Sequence, residues 1–245
     1  MIILGDIGNT ETKICLVNNN KIIKKIVIPS KGKKIDILNK YFKRFKFIKV
    51  KKILFCSVVP STFKDLKNYF RTKTKIKCFE LKELNLRSIL KINVNYKQVG
   101  SDRLANAISV SNKNKNFVIL DFGTATTFDV LIGNNYKGGI ISPGIKLSLN
   151  SLSDKASLIP KINLKKMSKI IGKDTKSAVR SGFFWGYTGL IDNIINLIKK
   201  DTKKSFKVII TGGFSKLFKN SLKTKVKQDF DITINGLIRA SKLIK

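Results

Sequence analysis

The chain has 245 residues, of which 50 are Lys or Arg and 15 are Asp or Glu, giving a formal net charge of +35. It contains no histidine, which excludes histidine triads, histidine metal ligands and histidine general bases. No apolar run approaches the roughly 18–20 residues that cross a bilayer, and the opening Met1-Ile2-Ile3-Leu4-Gly5-Asp6 lacks the basic n-region of a secretory signal, so a cytoplasmic protein is expected.

The lysines run from end to end and travel with abundant Ile and Asn, a trio that AT-rich codons produce. Compositional drift accounts for them better than a dedicated nucleic-acid surface, and no zinc-finger spacing or aromatic-interleaved basic motif is present. Cys15, Cys56 and Cys78 are far apart, with no Cys-x-x-Cys, and are expected as buried free thiols.

In chain order, Ile2-Ile3-Leu4, Ile14 to Val17 and Ile22 to Ile28 predict a three-stranded meander. Its turns are Asp6-Ile7-Gly8-Asn9-Thr10-Glu11-Thr12-Lys13 and Asn18-Asn19-Asn20. Apolar spacing predicts a helix over Ile35 to Phe45. Ile53 to Val59 reads as a buried strand ended by Pro60, with Ser61 capping a helix to about Phe70. Ile76 to Leu81 is a short strand, Lys91 to Val99 is irregular, and Gly100-Ser101-Asp102-Arg103 opens a helix. Asn112 to Asn116 is the candidate linker, which sets expected domains at 1–113 and 114–245.

Beyond it, Val118 to Asp121 runs into Phe122-Gly123-Thr124-Ala125, and Phe128 to Ile132 and Tyr136 to Ile141 complete a second meander. A helix is expected from Ile145 to Leu152, then a loop, then a long helix capped by Asp174 or Thr175. That helix carries Ala178, Gly182, Gly186 and Gly189, which allow either a weakened core helix or close packing against another copy. Val208-Ile209-Ile210 reads as a strand ending at Thr211-Gly212-Gly213, with helices from Ser215 and over Ile234 to Ile244.

The turn at Asp6-Ile7-Gly8-Asn9-Thr10 is echoed at Asp121-Phe122-Gly123-Thr124-Ala125, 115 residues later (121 − 6). The flanking strands and the Asn-rich turns that follow are echoed too. We read two copies of one βββ-α-β-α unit. Each turn sets a carboxylate at a strand end beside a glycine and hydroxyls. Hydroxyls and backbone N–H groups suit phosphate oxygens, and the carboxylate suits an oxygen-liking cation. No Gly-x-x-x-x-Gly-Lys-Ser/Thr loop is present.

The pair of turns resembles the acetate/sugar kinase, Hsp70 and actin superfamily. That likeness implies an α/β fold of two ribonuclease-H-like domains with a nucleotide cleft between them. Within it, Asp6-Ile7-Gly8-Asn9-Thr10-x-x-Lys13, Gly100-Ser101-Asp102-Arg103, Asp121-Phe122-Gly123-Thr124-Ala125, Gly138-Gly139-x-Ile141-x-Pro143-Gly144 and Thr211-Gly212-Gly213 resemble, in order, the motifs of type III pantothenate kinases. The resemblance implies ATP-dependent phosphorylation of pantothenate, the first step of coenzyme A synthesis.

It also implies roles. Asp102 is the proton acceptor, with a helix N-cap as the structural alternative. Arg103 forks onto a substrate carboxylate or polar end, beside Gly100 and Ser101. The turn from Asp6 through Ile7, Gly8, Asn9, Thr10, Glu11 and Thr12 to Lys13 meets ATP, with Asp6 holding Mg²⁺, and Thr124 is a further ATP contact. Asp121 matches a monovalent-cation ligand, for K⁺ or NH₄⁺. Thr175 matches a pantothenate contact supplied by the second chain of a homodimer.

Two positions depart from the family pattern. Tyr96, the candidate substrate-contacting tyrosine, lies only four residues before Gly100, which leaves Asn93 as the alternative occupant of that place. Position 174 is Asp where Asn is expected. The competing expectations are a regulatory or accessory protein on the same fold and a basic nucleic-acid-binding protein.

Overall fold

The apolar opening of the chain forms the middle of a five-stranded sheet. In the computed structural model, which describes residues 1–32, 34–43 and 47–244, β1 (Ile2–Ile7) pairs antiparallel with β2 (Glu11–Asn18), and β2 with β3 (Lys21–Pro29). The β2–β3 turn places Asn19 and Asn20 at φ 48° and 60°, the left-handed conformation that asparagine tolerates and a tight hairpin needs. β3 is the edge strand; Ile26 and Ile28 face the core, while Lys24 is exposed and Lys25 pairs with Asp231, charges that deter further strand pairing.

After α1 (Lys34–Phe42), the chain crosses to β4 (Lys52–Ser57), parallel to β1, and through α2 (Pro60–Lys73) to β5 (Cys78–Glu80), parallel to β4. The predicted end of α1 at Phe45 lies outside the described residues. Pro60 opens α2 rather than merely ending the strand. Proline suits the first helical turn, where its missing N–H has no partner to lose, so Ser61 lies inside the helix and is not its cap. Ile3, Ile14, Phe55, Leu66 and Phe70 fill the core beneath this sheet. Burying each such side chain contributes about 1.5–3 kcal/mol.

The chain divides into two compact units. The first holds Met1–Ser111, Asn134–Tyr136 and Asp231–Lys245; the second holds Asn112–Gly133 and Lys137–Phe230. The first division falls at the Asn-rich segment, two residues from the expected boundary. The C-terminal segment, expected with the second domain, belongs to the first unit. Its α7 (Ile232–Ala240) packs on α3 (Ser101–Val110) so closely that a Cβ at Gly236 would lie 1.8 Å from the Ala105 carbonyl oxygen. Arg239 donates to the Ser109 and Ser111 carbonyl oxygens, satisfying the C-terminal end of α3. The short β6 (Lys91–Ile92), within the stretch expected to be irregular, pairs with Asn135 and Tyr136 in this unit.

In the second unit, β7 (Phe117–Phe122) pairs antiparallel with β8 (Ala125–Ile132), followed by β9 (Asn135–Pro143). After α4 (Ile145–Lys155) and α5 (Thr175–Thr202) come β10 (Lys207–Gly212), parallel to β7, then α6 (Ser215–Phe218) and β11 (Val226–Gln228). The rings of Phe122 and Phe184 both stack on Phe218, at centroid distances of 5.3 and 5.6 Å.

The strand orders correspond. The first sheet runs β3-β2-β1-β4-β5, and the second runs β6-β9-β8-β7-β10-β11, which repeats that order from β9 onward and adds β6 at the β9 edge. Each is a ribonuclease-H-like meander extended by two parallel strands, as the internal echo predicts. The second copy inserts two helices where the first has one, and β11 escaped the sequence reading because three residues carry too little periodicity.

Candidate active site

β1 delivers Asp6 to its C-terminal end, where the chain must turn to start β2. Gly8 N–H closes that turn on the Glu11 carbonyl oxygen at 3.0 Å, and the Ser30 hydroxyl donates to the Gly8 carbonyl at 2.6 Å. The Gly8 N–H, one of those expected to meet phosphate, is therefore spent inside the turn. Ile7 and Thr12 are buried; Thr12 bonds Ser30 at 2.9 Å, so neither side chain faces outward. Asn9, Thr10 and Glu11 form the exposed rim. Lys13, half-buried, stands directly across from Asp6 in the β1–β2 register.

On the other side of Asp6 is Cys56, its parallel partner in β4, whose thiol donates to Asp6 Oδ1 at 3.6 Å. Burial, then the carboxylates of Asp6, Asp102 and Glu80, push the Cys56 thiol well above its ordinary range. A buried thiol among three carboxylates stays protonated and is a donor.

Asp102 lies in the first turn of α3. Gly100 is the N-cap, Ser101 the first helical residue and Asp102 the second, so the capping alternative for Asp102 does not hold. Its Oδ1 accepts the Arg103 N–H at 2.8 Å. Burial raises the Asp102 carboxyl above its ordinary value, outweighing that hydrogen bond and the Arg103 charge, which both lower it. A carboxylate tuned upward is a better proton acceptor near neutral pH than an exposed one. A Cβ at Gly100 would lie 2.5 Å from Asp102 Oδ1, so the glycine is what admits the carboxylate there.

The second unit repeats the device. Asp121 is the penultimate residue of β7, and Gly123 N–H closes the following turn on the Ala125 carbonyl at 3.0 Å. Thr124 is exposed at the tip. Gly144 packs on its backbone, since a Cβ there would lie 2.1 Å from the Thr124 carbonyl oxygen. Gly212, at φ +84°, has bare Cα space where a Cβ would meet Asp121 Oδ1 and the Phe122 carbonyl oxygen, each at 2.6 Å.

Among the described residues there is no cluster of three His, Cys, Asp or Glu side chains able to hold a metal by itself. A Mg²⁺ ion that arrives on nucleotide phosphates needs only one or two protein carboxylates, and Asp6 fits that requirement. Asp121 and the Phe122 carbonyl, which also accepts the Gly213 N–H at 3.1 Å, supply oxygens of the kind a monovalent cation takes.

The remaining expected residues fall elsewhere. The Tyr96 hydroxyl donates to the Lys82 carbonyl at 3.1 Å, and the Lys82 ammonium sits 5.1 Å from its ring centre. Tyr96 lines a cavity of about 620 Å³ together with Lys82, Arg87, Leu90 and Lys91, and neither Asp6 nor Asp102 borders it. The Asn93 N–H donates to the Tyr136 carbonyl, and its side chain is exposed. Thr175 is the first residue of α5 and exposed, while Asp174 is the cap, exchanging hydrogen bonds with Ser177 in a capping box. Residue 174 thus has a structural use as the cap, which the Asn of the family pattern could also serve. Sequence reasoning missed Glu80, whose carboxylate accepts from the Ser57 N–H and the Ser101 hydroxyl. No motif marks it; only the pairing of β4 with β5 brings it there.

Comparison with known proteins identifies the family. The sequence profile of the family described as type III pantothenate kinase matches residues 2–197. A type III pantothenate kinase of Pelagibacter ubique is 65% identical over 100% of both chains. Another, of Sulfurihydrogenibium, is 34% identical over 97% of this chain and 98% of its own. Among solved structures, a Campylobacter jejuni protein described under the name Baf family transcriptional activator superposes at TM-score 0.67 and 21% identity, covering 98% of this chain and 97% of that one. Glucokinase from an Antarctic psychrotroph superposes at 0.53 and 10% identity, covering 98% of each chain. These structural likenesses show the shared two-domain kinase fold. With its profile match and a near full-length relative at 65% identity, the chain belongs to the type III pantothenate kinase family.

Proposed function

We propose that this chain transfers the γ-phosphoryl group of ATP to the primary hydroxyl of pantothenate, giving 4′-phosphopantothenate. The observation that carries the reading is Asp102: a half-buried carboxyl at the start of α3, raised above its ordinary value by burial, in the same unit as the Asp6 strand end. Asp102 takes the proton of the attacking hydroxyl, and Arg103 orients the polar end of pantothenate. Asn9, Thr10 and Lys13 meet the phosphates of ATP. Asp6, oriented by the Cys56 thiol, holds Mg²⁺. When bound, Mg²⁺ neutralises charge on the transferring phosphoryl group. Thr124 contacts ATP in the second unit, and Asp121 holds K⁺ or NH₄⁺.

Thr175 completes the pantothenate site of a second chain in a homodimer. Consistent with that, added Cβ atoms at Gly182, Gly186 and Gly189 meet nothing within 4 Å, so this stripe of α5 has room for a neighbour. Among the described residues no helix is long and apolar enough to cross a membrane, in keeping with a cytoplasmic enzyme. The regulatory alternative loses its ground because Asp6, Asp102, Arg103 and Asp121 are all retained.

The test is an assay of purified protein with ATP, Mg²⁺ and K⁺, offering pantothenate against other small alcohols. Phosphopantothenate is the expected product. Its absence from folded protein would falsify the reading.

A further inference from the structure

Glu80 ends β5, in register with Phe55 of β4. Its carboxylate collects donors from three parts of the first unit. Oε2 accepts the Lys82 N–H at 2.6 Å and caps the short turn Leu81–Glu83. Oε1 accepts the Ser57 N–H at 3.3 Å, at the end of β4, and also the hydroxyl of Ser101. Capping the turn needs only Oε2, so the bonds to Oε1 serve another purpose.

Ser101 is the first residue of α3 and is 2% exposed, which leaves its hydroxyl little water to turn to. Gly100, the N-cap, has no side chain to anchor the helix start. The anchor comes from outside the helix, as a charge-assisted hydrogen bond, stronger than one between neutral groups. One carboxylate therefore joins two parts of the site: the end of β4, next to the Cys56 that touches Asp6, and the first turn of α3, which carries Asp102 and Arg103.

We propose that Glu80 is a positioning residue for phosphoryl transfer: through Ser101 it fixes the first turn of α3, and so sets where Asp102 and Arg103 stand. This rests on Asp102 being the proton acceptor. Phosphoryl transfer depends on alignment, and a misplacement of about 1 Å can cost on the order of 100-fold in rate.

The test compares full-length Glu80→Ala, Glu80→Gln, Ser101→Ala, the Glu80→Ala/Ser101→Ala double variant and Asp102→Asn, each checked by thermal melting. Glu80→Ala is expected to lower kcat by roughly 10–100-fold while KM for ATP moves less than about twofold, a split that general destabilisation does not give. Glu80→Gln keeps an oxygen acceptor and is expected to recover kcat to within about threefold of the parent. Ser101→Ala is expected to lose about tenfold, and the double variant to fall no more than about twofold below Glu80→Ala, because both remove one linkage.

Additive losses overturn the proposal, as does a Gln variant no better than Ala, which would make the charge rather than the anchor the cause. If Glu80→Ala does not fold, Ser101→Ala decides, and normal kcat there overturns the proposal. Normal turnover by Asp102→Asn overturns the assignment of the base instead. An inactive Asp102→Asn beside a fully active, folded Glu80→Ala overturns only the positioning role.

Discussion

Asp6 and Asp121 are register equivalents in two copies of the same sheet. Asp6 stands between Lys13 on the antiparallel side and Cys56 on the parallel side; Asp121 stands between Thr127 and Thr211. Residues paired directly across neighbouring strands share a face. The first carboxylate is thus flanked in register by a lysine and a cysteine, and the second by two threonines. The two copies share the carboxylate and differ in the residues on either side of it, in line with the different roles proposed for Asp6 and Asp121.

Monovalent-cation dependence is the first expected consequence. Replacing K⁺ by Na⁺ should lower the rate, and Asp121→Asn should abolish the difference between the two salts. Gly212→Ala should have the same effect, since its Cβ would press on Asp121 Oδ1 at a backbone φ of +84° that alanine adopts only under strain. Steady-state rates in the two chlorides at equal ionic strength measure this; a K⁺ preference that survives Asp121→Asn removes the assignment.

Asp102→Asn should trade activity for stability. Loss of a general base costs on the order of 10²–10⁴-fold in rate, while ATP binding, followed by calorimetry, should persist. The parent's kcat should fall on acidification with a midpoint above the ordinary carboxylate value of 3.8, because the base must be ionised and burial raises its pKa. Stability runs the other way. Asp102 protonates more readily in the folded state than in the unfolded one. Its contribution is therefore whole below the ordinary carboxylate pKa and is lost as pH rises through the raised folded value. The amide pays no such ionisation penalty, so Asp102→Asn should melt higher than the parent at neutral pH. A lower melting temperature there contradicts the burial argument.

Much of this was legible in the chain because the signals are local and repeated. The two Asp-x-Gly turns, the Asn-rich hairpins and Gly100 to Arg103 each occupy a few consecutive residues, and the copies reinforce one another. What stayed hidden was carried by pairing across distance. Glu80 reaches Ser101 only because β5 lies beside β4 and α3 starts over that edge. The return of α7 to the first unit depends on the fit of Gly236 against Ala105. Tyr96 is a candidate substrate contact only by resemblance, at a spacing shorter than the family pattern, and the bond of its hydroxyl to the Lys82 carbonyl depends on a residue 14 positions away.

The three thiols should be inert in the native protein. Cys15, Cys56 and Cys78 are all buried and free. Burial pushes Cys15 up to about 11 and Cys78 up to about 12, so their thiolates are scarce at neutral pH. A disulfide reagent should titrate no thiol in native buffer and three after denaturation. Rapid reaction of any one before unfolding would contradict its burial.

Asp174 should matter as a helix cap more than as an unwanted charge. Its Oδ1 accepts the Ser177 N–H at 2.9 Å, and the Ser177 hydroxyl returns a bond to Oδ2 at 2.7 Å. These bonds hold its carboxyl below the ordinary range, the Ser177 hydroxyl first and the backbone N–H second. A lowered folded pKa contributes stability that is present above the unfolded value and lost as pH falls through the folded one. Asp174→Ala should therefore lower the melting temperature at neutral pH, and the deficit should shrink below pH 4 as the parent loses its own cap. Asp174→Asn, the residue expected from the family pattern, keeps an oxygen that can accept the Ser177 N–H and should melt close to the parent. Melting curves of the three proteins across pH 3–8 settle it. An alanine variant as stable as the parent at pH 7 would mean that the long α5 helix, packed through Phe184, Ile191 and Ile195, needs no help at its start.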